Sequence, residues 1–224
     1  MQDKTYCYPN SKVLINKLNL TDLKELAAAE EEFTMTRLYE LEKKPIRGRF
    51  DFEHLCKIHG YIFQDLYEWA GKTRNINISK GNNFCDYRIM PSYGESIFEN
   101  YYSDCFEARN NKEQFVRVLS KHYGEVNALH PFREGNGRTQ REFARELCLK
   151  CGYIFNLRGT THKQMLEASV KSLSEGDDSG LYDIFMKNII PKSEWKDYDD
   201  AGLLILSDDD LDLEAEVSQY DYYE

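Results

Sequence analysis

Between Phe52 and Trp69 the apolar side chains recur at spacings of three and four: Phe52, Leu55, Cys56, His59, Ile62, Phe63, Leu66 and Trp69. That spacing draws one apolar stripe along a helix of about five turns, with Gly71 to end it. The same period predicts a helix from Thr21 to about Lys43, with apolar groups at Leu23, Leu26, Ala27, Phe33, Leu38 and Leu41 and with Thr21 as cap. It returns over Pro91 to Arg109, Lys112 to Leu129, Arg138–Cys151, Thr161–Leu173 and about Gly180–Ile190. Helices striped in this way bury their apolar faces by packing on one another, so the fold class is all-α. One interval breaks the period. In residues 73–90, Ile76 and Ile78 alternate with Asn75 and Asn77, and Lys80-Gly-Asn-Asn83 is turn chemistry. One short β-hairpin is expected there.

Composition narrows the function classes. At roughly 100–200 residues per domain, 224 residues make one domain with appendages. Mean hydropathy is −0.68, and no apolar run approaches the ~20 residues of a membrane helix. The N-terminal residues lack the apolar core of a signal peptide. The expected setting is therefore the bacterial cytoplasm, or a host cell reached without a cleaved leader, and no membrane partner is expected. The net charge of −10 is unevenly spread. Residues 197–224 hold eleven carboxylates and no Lys or Arg, so removing their −11 from −10 leaves residues 1–196 at +1. A nearly neutral body offers no basic field for direct nucleic-acid binding. Residues 1–196 are read as the folded domain with its N-terminal extension, and 197–224 as an acidic, disordered tail. The six cysteines sit at irregular spacings. Cys148-x-x-Cys151 has no second pair to complete a zinc site, so all six are read as reduced thiols.

Chemistry concentrates in one segment between two helical patterns: His130-Pro131-Phe132-Arg133-Glu134-Gly135-Asn136-Gly137-Arg138-Thr139-Gln140-Arg141. Glycines just before a helix start let backbone N–H groups converge with those of the first turn, which makes an anion nest suited to phosphates. Arg138 and Arg141 are three apart and share a helix face. Two guanidinium forks there suit a polyphosphate. Glu134 supplies a carboxylate oxygen where Mg²⁺ would sit beside phosphates. His130, with an ordinary pKa of ~6.5, suits a general base. A base, a metal carboxylate, a nest and two arginines together fit stabilisation of a transferred phosphorus centre.

The order of these residues closely resembles the motif of the Fic family, H-P-F-x-[D/E]-G-N-G-R-x-x-R, with every fixed position present. Tyr8-Pro9, the stretch from Asp51 to Trp69, Trp69-Ala70-Gly71 and Ile78-Ser-Lys-Gly81 look like the corresponding family segments, so the resemblance runs from about residue 6 to about 190. It implies a Fic-type helical bundle whose hairpin is the family's flap. It also implies a protein adenylyltransferase, which moves AMP from ATP to a Tyr, Ser or Thr hydroxyl of a target protein and releases pyrophosphate. Carried over by position, His130 is the base and Glu134 binds Mg²⁺. The backbone of Gly135–Gly137 and Asn136 hold phosphate oxygens, Arg138 meets the β-phosphate and Arg141 the γ-phosphate. The flap clamps a target segment by strand addition, with Lys80 and Gly81 touching nucleotide or target. Arg133 fills the variable position. It is counted with the ATP-binding set, its side chain read as facing solvent.

Other readings stay open at this point. The loop would also serve a transferase using a different nucleotide donor, or a catalytically idle module that binds nucleotide or partner. His54, His59 and His122 fall inside helical patterns and are read as core or surface histidines. Many relatives are held inactive by a helix bearing [S/T]-x-x-x-E-[G/N], whose Glu engages the second motif arginine, here Arg141. Thr21 to Glu25 fits but is followed by Leu26, and Glu175-Gly176 has Lys171 at the Ser/Thr position. Neither is complete, so the resemblance points to members inhibited by a separate small antitoxin, and such a partner is expected.

Overall fold

The structure is a computed structural model that describes residues 3–195. The acidic stretch read as a tail lies outside them. Helix α1 spans Leu23–Lys43 and is rich in Ala, Glu and Leu, all strong helix formers. Its cap is Asp22 rather than Thr21, because the Asp22 carboxylate accepts the N–H groups of both Lys24 and Glu25. Helix α2, Phe52–Phe63, is capped by Asp51 and is shorter than the five turns expected. Past Phe63 the stripe continues through tight turns. Leu66 and Tyr67 both donate to the Phe63 carbonyl, Ala70 donates to Tyr67, and Lys72 to Trp69. Successive turns keep a three-to-four spacing, so periodicity alone does not separate them from a helix. The chain then folds back on α2 at Gly71, whose φ is +80°. A Cβ there would lie 3.1 Å from the Cys56 carbonyl oxygen and 3.2 Å from the Gly60 Cα.

The hairpin is present but small. Strand β1, Ser79–Lys80, pairs antiparallel with β2, Asn82–Asn83, around Gly81. Helices α3, Met90–Phe98, and α4, Tyr101–Ala108, replace the single helix expected over Pro91 to Arg109, with the break at Glu99 and Asn100. Helix α5 is Lys112–Leu129 and α6 is Asn136–Lys150. Strand β3, Tyr153–Phe155, follows, then α7, His162–Glu175, with a reciprocal Thr161–Gln164 cap. Helix α8, Ser179–Asn188, leads into β4, Ile189–Pro191, which pairs antiparallel with β3. This second ribbon was not expected, because strands of three residues are too short to show a period.

The core forms where α2, α5 and α6 meet. Leu55, Ile58, Ile62, Phe115, Leu119 and Leu147 are completely buried, and Phe143 nearly so. Each such side chain contributes roughly 1.5–3 kcal/mol by leaving water. The antiparallel pair α5 and α6 sets the loop between them at one end of the bundle, and α1 packs across α2 beside it. All six cysteines are unbridged, four of them buried, as read from the sequence.

Three buried histidines are held neutral. His54 Nδ1 lies 3.3 Å from the Phe50 N–H, and its Nε2 lies 2.9 Å from the Ile46 carbonyl. His59 accepts the Gly71 N–H at Nδ1 (2.8 Å) and donates from Nε2 to the Glu134 carbonyl (3.1 Å). Burial pulls the His59 pKa from 6.5 down to about 3, and His130 also falls to about 3, with His54 lowered in the same direction. Below pH 6.5 the unfolded chain therefore binds protons that the native chain refuses. Their stabilising contribution is full above pH 6.5 and is lost progressively as pH falls toward 3. Urea titrations should give a lower midpoint at pH 5 than at pH 7.5, with His59 and His130 each accounting for about 2 kcal/mol.

Candidate active site

Helix α5 ends at His130, whose φ of +45° and ψ of 63° place a non-glycine residue in the left-handed region. Its N–H still reaches the Val126 carbonyl at 3.1 Å. Nδ1 lies 3.2 Å from the Asn127 carbonyl. A carbonyl only accepts, so Nδ1 carries the hydrogen and Nε2 keeps its lone pair. The ring lies parallel to Phe84, just past β2, with centroids 3.8 Å apart. Burial is the main cause of the low His130 pKa. Arg74 and Lys80 lower it further, and the Asn127 carbonyl works against them. The imidazole is unprotonated at neutral pH.

The loop is built to stay put. The Asn136 side chain accepts the Phe132 N–H (2.9 Å) and donates to the Phe132 carbonyl (2.8 Å). Phe132 is buried and stacks on His59 at 3.8 Å. Gly135 has φ +79°, and a Cβ there would sit 2.1 Å from the Phe63 ring, so only glycine fits. No side chain caps the start of α6. Its first-turn N–H groups lie outside the helical ladder, and the helix dipole is positive at that end. A Cβ on Gly137 would come within 3.0 Å of Arg141 Nη1, so the missing side chain makes room for that guanidinium. Asn136 commits both ends of its side-chain amide to the loop.

The charged residues divide sharply. Glu134 is buried, and its Oε1 accepts the Gly135 N–H at 2.7 Å and lies 3.8 Å from Arg138 Nη2. Arg138 is ion-paired to Glu30 of α1, donates to Thr34 Oγ1 at 3.3 Å and lies over the Phe63 ring at 5.0 Å. The other Glu30 oxygen accepts the Tyr67 hydroxyl. Arg141 is half-buried, makes no ion pair with any described residue, and its buried Nε has no hydrogen-bond partner. Glu25 and Glu175 are solvent-exposed, and neither engages Arg141. Arg133 does not face solvent. It is 3% exposed, and its Nε is 2.9 Å from Asp3 Oδ2. A carboxylate from the N-terminal segment draws it inward, which a position scored as variable did not reveal. Lys80 and Gly81 sit in the flap, with Gly81 at its turn (φ +73°).

Glu30 is the site residue that sequence reading missed. Glu30-Glu31-Glu32 looks like a solvated face. Its register carried the signal, because Leu26, Glu30, Thr34, Leu38 and Leu41 form the buried line of α1. A carboxylate on a core stripe needs a buried cation.

Among the described residues no cluster of three or more His, Cys, Asp or Glu could hold a metal by itself. The buried carboxylate of Glu134 would suit a Mg²⁺ that brings phosphate oxygens and water with it, since Mg²⁺ uses one or two carboxylates. No helix among the described residues is long and apolar enough to cross a membrane.

Comparison with known proteins agrees with this geometry. The family model described as Fic/DOC family matches residues 49–148. The chain is 34% identical over 186 residues to the probable protein adenylyltransferase Fic of Salmonella typhimurium, covering 82% of this chain and 91% of that protein. It is 37% identical over 174 residues to protein adenylyltransferase VbhT of Bartonella schoenbuchensis, covering 77% of this chain but only 36% of that longer protein. Among solved structures, BepC of Bartonella tribocorum with bound AMPPNP superposes with a TM-score of 0.77 at 20% identity, over 83% of this chain and 96% of that one. The shared helical fold, the loop from His130 to Arg141 and these relatives together show that the chain belongs to the Fic/DOC family.

Proposed function

We propose that the chain is a protein adenylyltransferase, a nucleotidyltransferase that moves AMP from ATP to a Tyr, Ser or Thr hydroxyl of a target protein and releases pyrophosphate. The observation that carries this reading is the pairing of a neutral imidazole, its Nε2 lone pair set by Asn127, with the uncapped N-terminus of α6. His130 Nε2 takes the proton of the target hydroxyl as its oxygen bonds to the α-phosphorus and the bond to the pyrophosphate oxygen breaks. Backbone N–H groups of the nest hold the non-bridging phosphate oxygens. Arg138 and Arg141 face the β- and γ-phosphates. Arg141, with no carboxylate on it among the described residues, suits a phosphate, whereas Arg138 must share its charge with Glu30 and Glu134. Glu134 would hold Mg²⁺, which when bound supplies charge neutralisation for the departing pyrophosphate.

The target supplies an extended segment that adds to the edge of β1–β2, near Lys80 and Gly81. Arg141, engaged by no carboxylate among the described residues, fits regulation by a separate antitoxin helix that brings a Glu to it. Residues 1–196 form the catalytic unit. The cell compartment, whether the bacterial cytoplasm or a host cell, follows from where the target resides.

ATP labelled at the α- or γ-phosphate tests the reaction. Label should pass to protein from the α position only, and His130→Ala should lower the rate by about 10²–10⁴-fold. Transfer from the γ position, or nucleotide binding with no transfer, would overturn the proposal. Arg141→Ala should raise the KM for ATP about tenfold or more, by removing a charge-assisted contact of ~1.5–3 kcal/mol. Glu30→Gln removes one of the two carboxylates that share the charge of Arg138. It should weaken thermal stability and tighten binding of ATP relative to adenosine, measured by calorimetry.

A further inference from the structure

Arg74 lies outside the loop motif, in the stretch that enters the flap. It is 2% exposed, yet its guanidinium is fully engaged in fastening main chain to main chain. Nε donates to the His130 carbonyl at 2.8 Å. Nη1 donates to the Ile76 carbonyl at 2.6 Å, on the way into the flap. Nη2 donates to the Cys85 carbonyl at 2.6 Å, on the way out, and to the Leu129 carbonyl at 3.4 Å. The Arg74 N–H itself reaches the Pro131 carbonyl at 2.9 Å. Nearby, the Cys85 N–H meets the Ala128 carbonyl at 3.0 Å, and Phe84 stacks on the imidazole.

We infer that Arg74 is a positioning residue that locks both stems of the flap to the C-terminus of α5, so that flap and His130 move as one unit. The inference rests on the proposed role of His130 as base, and it adds a residue that the motif does not contain. The planar fork of Arg reaches three segments at once, which the single ammonium of Lys cannot do. Its charge sits at the negative end of α5, where a cation is favoured. A target strand laid on the flap edge is thereby placed at a fixed distance from Nε2. His130 is faced by two cations, Arg74 and Lys80. Removing the first should ease protonation of the imidazole.

Hydrogen exchange on the full-length wild-type protein gives a first test that needs no variant. The amides of Arg74, Phe84, Cys85 and His130 should open with equal free energies, as one cooperative unit. Flap amides that open 100-fold more readily than the His130 amide would overturn the inference. Arg74→Lys and Arg74→Gln give the second test. In Arg74→Gln the flap amides should exchange about 10- to 100-fold faster, and the His130 imidazole, followed by NMR, should titrate at higher pH. Arg74→Lys should keep the wild-type His130 titration and restore only part of the flap protection. Kinetically, kcat should fall at least tenfold in Arg74→Gln, while the KM for ATP stays within twofold, because no nucleotide-facing group touches Arg74. Loss of kcat and ATP affinity in equal measure would assign Arg74 a merely structural role and refute the inference. Failure of wild-type protein to label from the α-phosphate would refute the proposed reaction instead, and the exchange and NMR measurements would still decide the role of Arg74.

Discussion

The chain reverses between α5 and α6 in six residues, and the double hydrogen bond between the Asn136 side chain and the Phe132 backbone closes that reversal. Everything chemical depends on it. It fixes Phe132 beneath the loop, which lets His59 stack there and accept the Gly71 N–H. It also sets Gly135 against the Phe63 ring at the start of α6, which has no side-chain cap among the described residues. A site that must hold a polyphosphate needs donors already aimed, because reorienting them during binding would consume the affinity they provide. The rigidity comes from buried aromatic stacking and paired amide bonds, not from the glycines, which supply only the room.

Charge is arranged in layers around this loop. Arg133 is bound to Asp3 and Arg138 to Glu30, both carboxylates from N-terminal segments, while Arg141 has no carboxylate among the described residues. The first pair serves anchoring, since two buried charges with each other as partners fix the N-terminal segment on the loop. The second pair keeps Arg138 over the Phe63 ring. The third arginine is left with its charge toward the nest. His130 shows the same logic in reverse, because burial and neighbouring cations keep it uncharged, which is the state a base requires.

The parts of this picture legible in sequence were those carried by local order. The residues from His130 to Arg141 are contiguous, so the nest, its glycines and its two helical arginines could be read as a string. Helices α5, α6, α7 and α8 emerged within a few residues of their periodic patterns. Contacts between distant segments did not emerge. Asp3, Glu30 and Arg74 lie 130, 108 and 56 residues from their partners in the loop, and nothing in a linear pattern links them. The β3–β4 ribbon was hidden for the same reason, since its stability comes from pairing across 35 intervening residues or so.

The sequence by itself determined which atoms are available: an imidazole, a carboxylate, glycines where only glycine fits, and arginines one helical turn apart. Those follow from covalent order and helical geometry, which are local. The tertiary structure alone decided the charge and tautomer of His130, which arginine is left without a carboxylate among the described residues, and the tie between flap and base. These depend on desolvation and on partners that only the folded core brings together, and both are properties of burial that no linear spacing encodes.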